Sequence, residues 1–237
     1  MKKKFADFQA TASAKIEEHD STIPSVLCKQ QGDSALTLND QKSKINNVSA
    51  IATLGSVMRF GRYDWRVLDV QGNRALLLSD RIVDTRTYTE KEVNSTWATC
   101  SLRKYLNGDF HNDSFSAEEK TRILESTLLN LNNPEYGTPG GMKTLDKVFL
   151  LSIEEFGQYL MTGNKGRSIN LLGIFDWRSK SKKAIDAIGN ASKWWLRSPG
   201  QHSYQSSYVC SNGKVDVSGS SICVLNYGVR PALWLKL

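Results

Sequence analysis

The stretch from Trp194 to Leu237 constrains this chain more than any other. It opens on Trp194-Trp195-Leu196-Arg197-Ser198-Pro199-Gly200 and closes on Gly228-Val229-Arg230-Pro231-Ala232-Leu233-Trp234-Leu235, with a long run of Ser, Tyr, Gln, Asn and Gly in between. Short aromatic and aliphatic runs bounded by Gly and Pro are the pattern of buried strands. The bracket predicts Trp194 to Arg197 and Val229 to Leu235 as adjacent buried strands of one small sheet, with Trp194, Trp195 and Trp234 in the core. Arg230 sits inside an otherwise apolar run, and a buried guanidinium needs partners, so it is expected to pair internally or hydrogen-bond loop carbonyls.

The stretch between the two anchors is polar and rich in contact-type side chains. Asn212-Gly213 separates two β-capable runs, Ser206 to Ser211 and Lys214 to Val217, which predicts a hairpin. Tyr offers a large amphipathic surface at low entropic cost, while Ser, Asn and Gly supply adaptable hydrogen bonds, as in antibody paratopes. The same residue types also mark solvated turns. The candidate ligand contacts are Gln201, His202, Tyr204, Gln205, Tyr208, Asn212, Asp216, Ser218, Ser220, Ser221, Asn226 and Tyr227. Because the bracket confines the loops to one region, Tyr204, Tyr208 and Tyr227 are expected to be partly exposed. They should gather with His202, Gln205 and Asp216 on one side of the C-terminal sheet.

Upstream, strand and helix signals are mixed. Val57 to Val70, with Gly61 inside it, predicts a hairpin, and Gln71-Gly72-Asn73 turns into the buried strand Ala75 to Leu78. Leu102, Tyr105 and Leu106 make a helical stripe after Ser101, with Asn107-Gly108 as its stop. Ser116-Ala117-Glu118-Glu119 has the form of a capping box opening a helix that includes Ile123 and Leu124, and Ser152-Ile153-Glu154-Glu155 repeats it, with Leu151 stapling against Phe156. Asn132 to Lys143 is a loop, and its glycines lack the context of a phosphate-binding motif. Residues 1–52 read as a polar appendage with an amphipathic helix at Phe5, Phe8, Ala12 and Ile16, which either packs on the main domain or mediates self-assembly, or else is a solvated arm; residues 53–237 are expected to form the main domain.

The chemistry of the chain points away from catalysis. His19, His111 and His202 lie in unrelated segments, and Cys28, Cys100, Cys210 and Cys223 form no CxxC pair, so neither a zinc site nor a Cys/His nucleophile is expected. His111 is expected in a solvated or capping position, and Cys210 and Cys223 could lie close on neighbouring strands as reduced thiols. Met1-Lys2-Lys3-Lys4 is not followed by an apolar stretch, so no secretory signal is expected and the chain reads as cytoplasmic as synthesised. No apolar run reaches membrane-spanning length. The net charge of +7 raises nucleic acid as a partner, but the basic residues are spread out, and the cluster Arg178 to Lys183 carries no interleaved aromatics.

Several ordered segments carry a resemblance: the bracket itself, Phe60 to Leu68 (FGRYDWRVL), Trp97 to Asn107 (WATCSLRKYLN), Phe115 to Lys120 and Lys147 to Ser152. Together they resemble a bacterial family of C-type-lectin-like domains related in fold to the formylglycine-generating enzymes. That family occurs in surface and phage-associated proteins and among the variable proteins of diversity-generating retroelements. The resemblance implies an α+β architecture, a C-type-lectin-like fold with small antiparallel sheets and several flanking helices. It also implies a non-enzymatic display or receptor-binding protein that needs no cofactor and recognises a protein or glycan on another cell or particle. The histidine iron site of the enzymes of this fold and the Glu-Pro-Asn, Gln-Pro-Asp and Trp-Asn-Asp calcium motifs of its lectins are missing here, and Cys210 and Cys223 match no reactive-cysteine motif. An enzyme of the formylglycine-generating type and a structural assembly or nucleic-acid-binding protein are the alternatives. Adenine-directed mutagenesis of Asn codons would leave pyrimidine-ending codons, a test that His202, Tyr204, Tyr208, Asp216 and Tyr227 pass and Gln201, Gln205 and Lys214 fail.

Overall fold

The computed structural model describes residues 52–90, 94–161 and 177–237, with the backbone alone at 177–179. All belong to the second of the chain's two units, Gln41–Leu237. The expected helix at Phe5 to Ile16, the assembly role of residues 1–52, Cys28 and Asp176 lie outside the described residues.

The fold is α+β, built on two five-stranded sheets. β1 (Val57–Phe60) and β2 (Tyr63–Gln71) form the predicted hairpin, turning at Gly61, whose φ of +58° favours glycine. β3 (Arg74–Ser79) continues the meander, and its Ala75 to Leu78 are buried. In the second sheet, β4 (Asp84–Thr85) forms one edge. The short strands β5 (Ile123–Leu124), β6 (Ser126–Leu128), β7 (Thr144–Asp146), β8 (Ala184–Ile185) and β9 (Ala191–Ser192) follow, with β6–β7 and β8–β9 as separate two-stranded ribbons. The C-terminal region supplies β10 (Trp194–Pro199), β11 (Gln205–Val209), β12 (Val215–Ser221), β13 (Gly228–Val229) and β14 (Ala232–Lys236). The first sheet runs β1-β2-β3-β14-β5 and the second β12-β11-β10-β13-β4.

The closing bracket is therefore divided between the sheets, where the sequence predicted one strand. Val229 lies in β13, parallel to β10, while Ala232 to Lys236 cross to pair with β3. The crossing falls at Arg230-Pro231, where proline cannot continue a ladder, and Arg230 holds it in place. Fully buried, its Nε donates to the Ser79 carbonyl at 2.9 Å, its terminal nitrogens donate to the carbonyls of Ser181 and Asp80, and its guanidinium lies 5.1 Å from the Trp194 ring centroid. Trp194 and Trp195 are in the core as expected, whereas Trp234 is half-buried under Arg74. Val148 to Leu151 joins the two sheets: Phe149 exchanges both backbone hydrogen bonds with Ala232, and the Leu151 carbonyl accepts from the Arg197 amide.

The helices are short. α1 (Ser101–Tyr105) does not stop at Asn107-Gly108: a π-helical turn, Leu106–Phe110, carries it into α2 (His111–Ser114), with Gly108 absorbing the kink at φ −110°, ψ −105°. Both capping boxes are present, opening α3 (Ala117–Arg122) and α4 (Ile153–Phe156). α3 is shorter than predicted, because Ile123 and Leu124 leave it to pair with Leu235 and Trp234. α5 (Trp177–Lys182) precedes β8. No helix among the described residues is long and apolar enough to cross a membrane.

Candidate functional site

The polar stretch after Gly200 is attached to the second sheet through an irregular pairing. β10 and β11 are in register at Trp194↔Val209 and Trp195↔Tyr208, then shift before Pro199↔Ser206. Such a bulge strands backbone acceptors, and serines fill the gap: the Ser206 hydroxyl donates toward the Leu196 and Ser198 carbonyls, and the Ser207 hydroxyl donates to the Pro199 carbonyl at 2.8 Å. These two serines are buried structural groups. On β12, Asp216 performs a similar task, accepting from the Tyr208 hydroxyl at 2.8 Å, the Ser218 hydroxyl at 2.6 Å and the Gly219 amide at 3.0 Å. These hydrogen bonds hold its carboxyl below the usual range against the opposing effect of burial. Burial and the Asp216 contact push the Tyr208 phenol well up. Gly219 turns at φ +79°, and a Cβ there would stand 2.7 Å from the Ser206 carbonyl oxygen, so the bend in β12 requires glycine.

The twelve candidate contacts do not form one cluster. The register Gln205↔Ser221 and Val209↔Val215 places Gln201, His202, Tyr204, Gln205, Ser220 and Ser221 at one end of the β11–β12 hairpin and Tyr208, Asn212 and Asp216 toward the other, with Ser218 between. The first end is compact. Gln201 and Gln205 amides donate to the Ser218 and His202 carbonyls, the Gln205 side-chain oxygen accepts from the His202 amide, and the rings of His202 and Tyr204 stack at 5.2 Å with an 18° interplanar angle. Tyr204 is 47% exposed, and Gln201 and His202 are exposed as well.

Tyr208 and Tyr227 differ from the expectation. They are 8% and 4% exposed, because Tyr227 stacks on Trp195 at 4.2 Å and meets Tyr208 edge-on at 4.8 Å. The bracket strands draw these rings into the core that they were expected to stand above. Asn212 and Asn226 are exposed, and the Asn212 carbonyl oxygen accepts from the Lys214 amide across the hairpin turn. Cys210 and Cys223 flank opposite ends of the hairpin, about 20 Å apart at the usual rise per strand residue, so they are not neighbours.

Three supporting groups escaped the sequence reading. Asn133, in the loop after β6, is buried and donates from its side-chain nitrogen to both the Pro199 and Val217 carbonyls at 2.8 Å, tying that loop across β10 and β12. Thr138 donates to the Gln201 carbonyl at 2.6 Å and fixes the same loop against the His202 turn. Arg197 makes a bidentate pair with Glu155 of the α4 capping box, which carries β10 onto the helix. The loop's composition signalled a turn, and only the fold reveals what it touches.

Elsewhere, Cys100 and His111 are enclosed. Cys100 caps α1, its Sγ accepting from the Arg103 amide, and burial pushes its thiol up to about 12. His111 is buried rather than solvated, 7% exposed beside Phe115, and burial together with Lys147 and Lys120 lowers its pKa. Among the described residues no group of three or more His, Cys, Asp or Glu is placed to hold a metal ion.

An α+β domain of two small sheets carrying a polar hairpin at one edge is thus the class defined by fold and site. Within it, residues 72–237 match the family described as Domain of unknown function (DUF6273), and the chain belongs to that family. No curated protein and no solved structure matches the chain.

Proposed function

We propose that the protein is a non-enzymatic binding module of C-type-lectin-like fold whose C-terminal face, residues 200–228, recognises a protein or glycan surface. The observation that carries this reading is the stacked His202–Tyr204 pair, left in solvent on a turn that is pinned by Thr138, Gln205 and Ser218. Aromatic groups held rigidly in water lose little entropy when a partner covers them, which is how anchoring residues gain their share of binding energy. Gln201 supplies an adaptable polar group beside it, and Asn212 an exposed one at the far end of the hairpin. Cys100, buried and with its thiol pushed up, is a poor nucleophile. A phage-borne or retroelement-diversified receptor-binding role is the biological setting we infer for such a face.

The test is binding of the full chain to immobilised bacterial surface proteins and glycans, with the double variant His202→Ala/Tyr204→Ala beside it. The variant is expected to lose about 2 kcal/mol of affinity, roughly 30-fold, with an unchanged melting temperature. Undiminished binding by the variant would refute the assignment of this turn. For the diversification setting, the flanking DNA decides: a near-copy of the codons for residues 194–237 beside a reverse transcriptase supports it, and a locus without either removes it.

A further inference from the structure

The other end of the same hairpin carries positive charge from three separate segments. Gly213, at the β11–β12 turn with φ +86°, packs directly on the segment after α5: a Cβ built on it would lie 2.9 Å from Lys182 Cβ and 3.4 Å from Lys183 Cγ. Lys214 follows in the same turn. Trp194 donates from its indole nitrogen to the Lys182 carbonyl at 3.2 Å, which brings the start of β10 to the same place, and Lys193 immediately precedes it. Lys193 Nζ stands 5.4 Å from the ring centroids of both Tyr208 and Tyr227. Lys183 and Lys193 also flank the base of the β8–β9 ribbon, where Ala184 pairs with Ser192. With β10, β11 and β12 adjacent in the sheet, Lys193 and Lys214 are about two strand spacings, roughly 10 Å, apart.

This charge is open to solvent. Lys183, Lys193 and Lys214 are exposed and Lys182 is half-buried. Arg59, Arg66, Arg86, Arg103 and Arg197 are each ion-paired with a carboxylate. Two carboxylates, in the β8–β9 ribbon and on β12, accept from neutral groups: Asp216 from Tyr208, Ser218 and Gly219, and Asp186 from the amides of Ile188 and Asn190 and the Ser192 hydroxyl. Lysines gathered by tertiary structure from the end of α5, the segment before β10 and a hairpin turn outnumber Asp186 and Asp216 beside them, and the surplus charge attracts an extended anion.

We propose that this end of the second sheet binds an anionic polysaccharide, with Lys183, Lys193 and Lys214 contacting its carboxylate or sulfate groups. The inference rests on the binding-module reading and supplies the ligand class for the second end of the hairpin. Nucleic acid fits less well. Single strands are gripped by stacking bases on exposed rings, and the rings beside Lys193 are buried, Tyr227 stacked on Trp195 and Tyr208 edge-on to Tyr227. A membrane surface fits less well too: the ribbon tip exposes one large apolar residue, Ile188, next to the charged Asp186, whose carboxyl is held ionised by its backbone hydrogen bonds.

The experiment measures affinity of the full chain for heparin and for polygalacturonate, with neutral dextran, single-stranded oligonucleotide and phosphatidylserine vesicles alongside. The triple variant Lys183→Glu/Lys193→Glu/Lys214→Glu is compared with an equal charge change elsewhere, Lys104→Glu/Lys143→Glu/Lys236→Glu, at exposed positions outside the patch. Binding to the acidic polysaccharides is expected to fall steeply with salt and to weaken about ten-fold or more in the patch variant, but less than about two-fold in the control. A Lys→Gln version of the patch variant, which removes charge without reversing it, should show the same order with an unaltered melting curve. Equal losses in patch and control variants would reduce the effect to net charge and overturn the site. Tighter binding to the oligonucleotide or the vesicles than to either polysaccharide would overturn the ligand class. If the patch variants lose polysaccharide while the His202/Tyr204 variant keeps it, this inference stands independently of that turn; if the patch variants bind normally and the His202/Tyr204 variant fails, only this inference falls.

Discussion

At the scale of single residues, chemically similar side chains have opposite roles depending on which rings they meet. Tyr204 stacks with His202 in solvent, while Tyr208 and Tyr227 complete an aromatic group with Trp195. Denaturant melts should separate them: Tyr208→Ala and Tyr227→Ala should each cost about 3 kcal/mol of stability, as large-to-small core changes do, and Tyr204→Ala less than about 0.5 kcal/mol. If Tyr204→Ala destabilises as much as the others, the exposed turn is part of the core. Asp146 shows the same dependence on surroundings for a charge. Its side chain is fully buried and accepts from Trp97, Thr144, Arg103 and Asn107, which makes the segment Trp97 to Asn107 a holder for one carboxylate. Asp146→Ala leaves these donors unpaired and should cost about 3–5 kcal/mol by equilibrium unfolding. A loss under about 1 kcal/mol would mean that water replaces the carboxylate.

At the scale of elements, two capping boxes with the same local pattern differ in what surrounds them. Glu119 closes the α3 box at the surface and also accepts from the Gly61 amide, whereas Glu155 closes the α4 box and holds the buried Arg197. Glu119→Ala should cost about 1 kcal/mol and Glu155→Ala about 3 kcal/mol or more; similar losses would show that the Arg197 pair adds nothing to α4. Both boxes were legible because capping is decided within four residues. So were the β1–β2 hairpin and the Asn212-Gly213 turn, where glycine conformation sets the geometry. The ends of α1 and α3 were not: Ile123 and Leu124 have helical spacing, but pairing with β14 buries Ile123 and outweighs propensity. The candidate contacts were read from composition, which cannot tell a serine that faces solvent from Ser206 and Ser207, whose hydroxyls serve the β10–β11 bulge. Lys193, Lys214 and Lys182 are far apart in the sequence or sit in unrelated segments, so their convergence had no local signature.

At the scale of the whole molecule, stability should depend on pH in two windows. His111 has a lowered pKa in the folded chain, so the unfolded chain takes up its proton first; the associated stability is complete above the ordinary histidine value of about 6.5 and is lost as pH falls below it. Glu119, Asp186 and Asp216 have lowered values, so their contribution is present above the ordinary carboxylate range and is lost as pH falls through their folded values. Melting temperatures from pH 8 to 3 should therefore decline in two steps, and His111→Phe should flatten the first alone; an unchanged first step would assign it to another group. The placement of β13 and β14 carries a different consequence. Each is an interior strand of its sheet, β13 between β10 and β4 and β14 between β3 and β5, yet both come from the last ten residues of the sequence shown. Contacts such as Arg74↔Lys236 close a very long loop before they return any energy, which slows folding. Until those strands arrive, β3 and β10, two of the most apolar strands, present unpaired edges on which a second chain can add. The hazard is thus kinetic and intermolecular, and the surplus of positive charge, which keeps incomplete chains apart, acts against it.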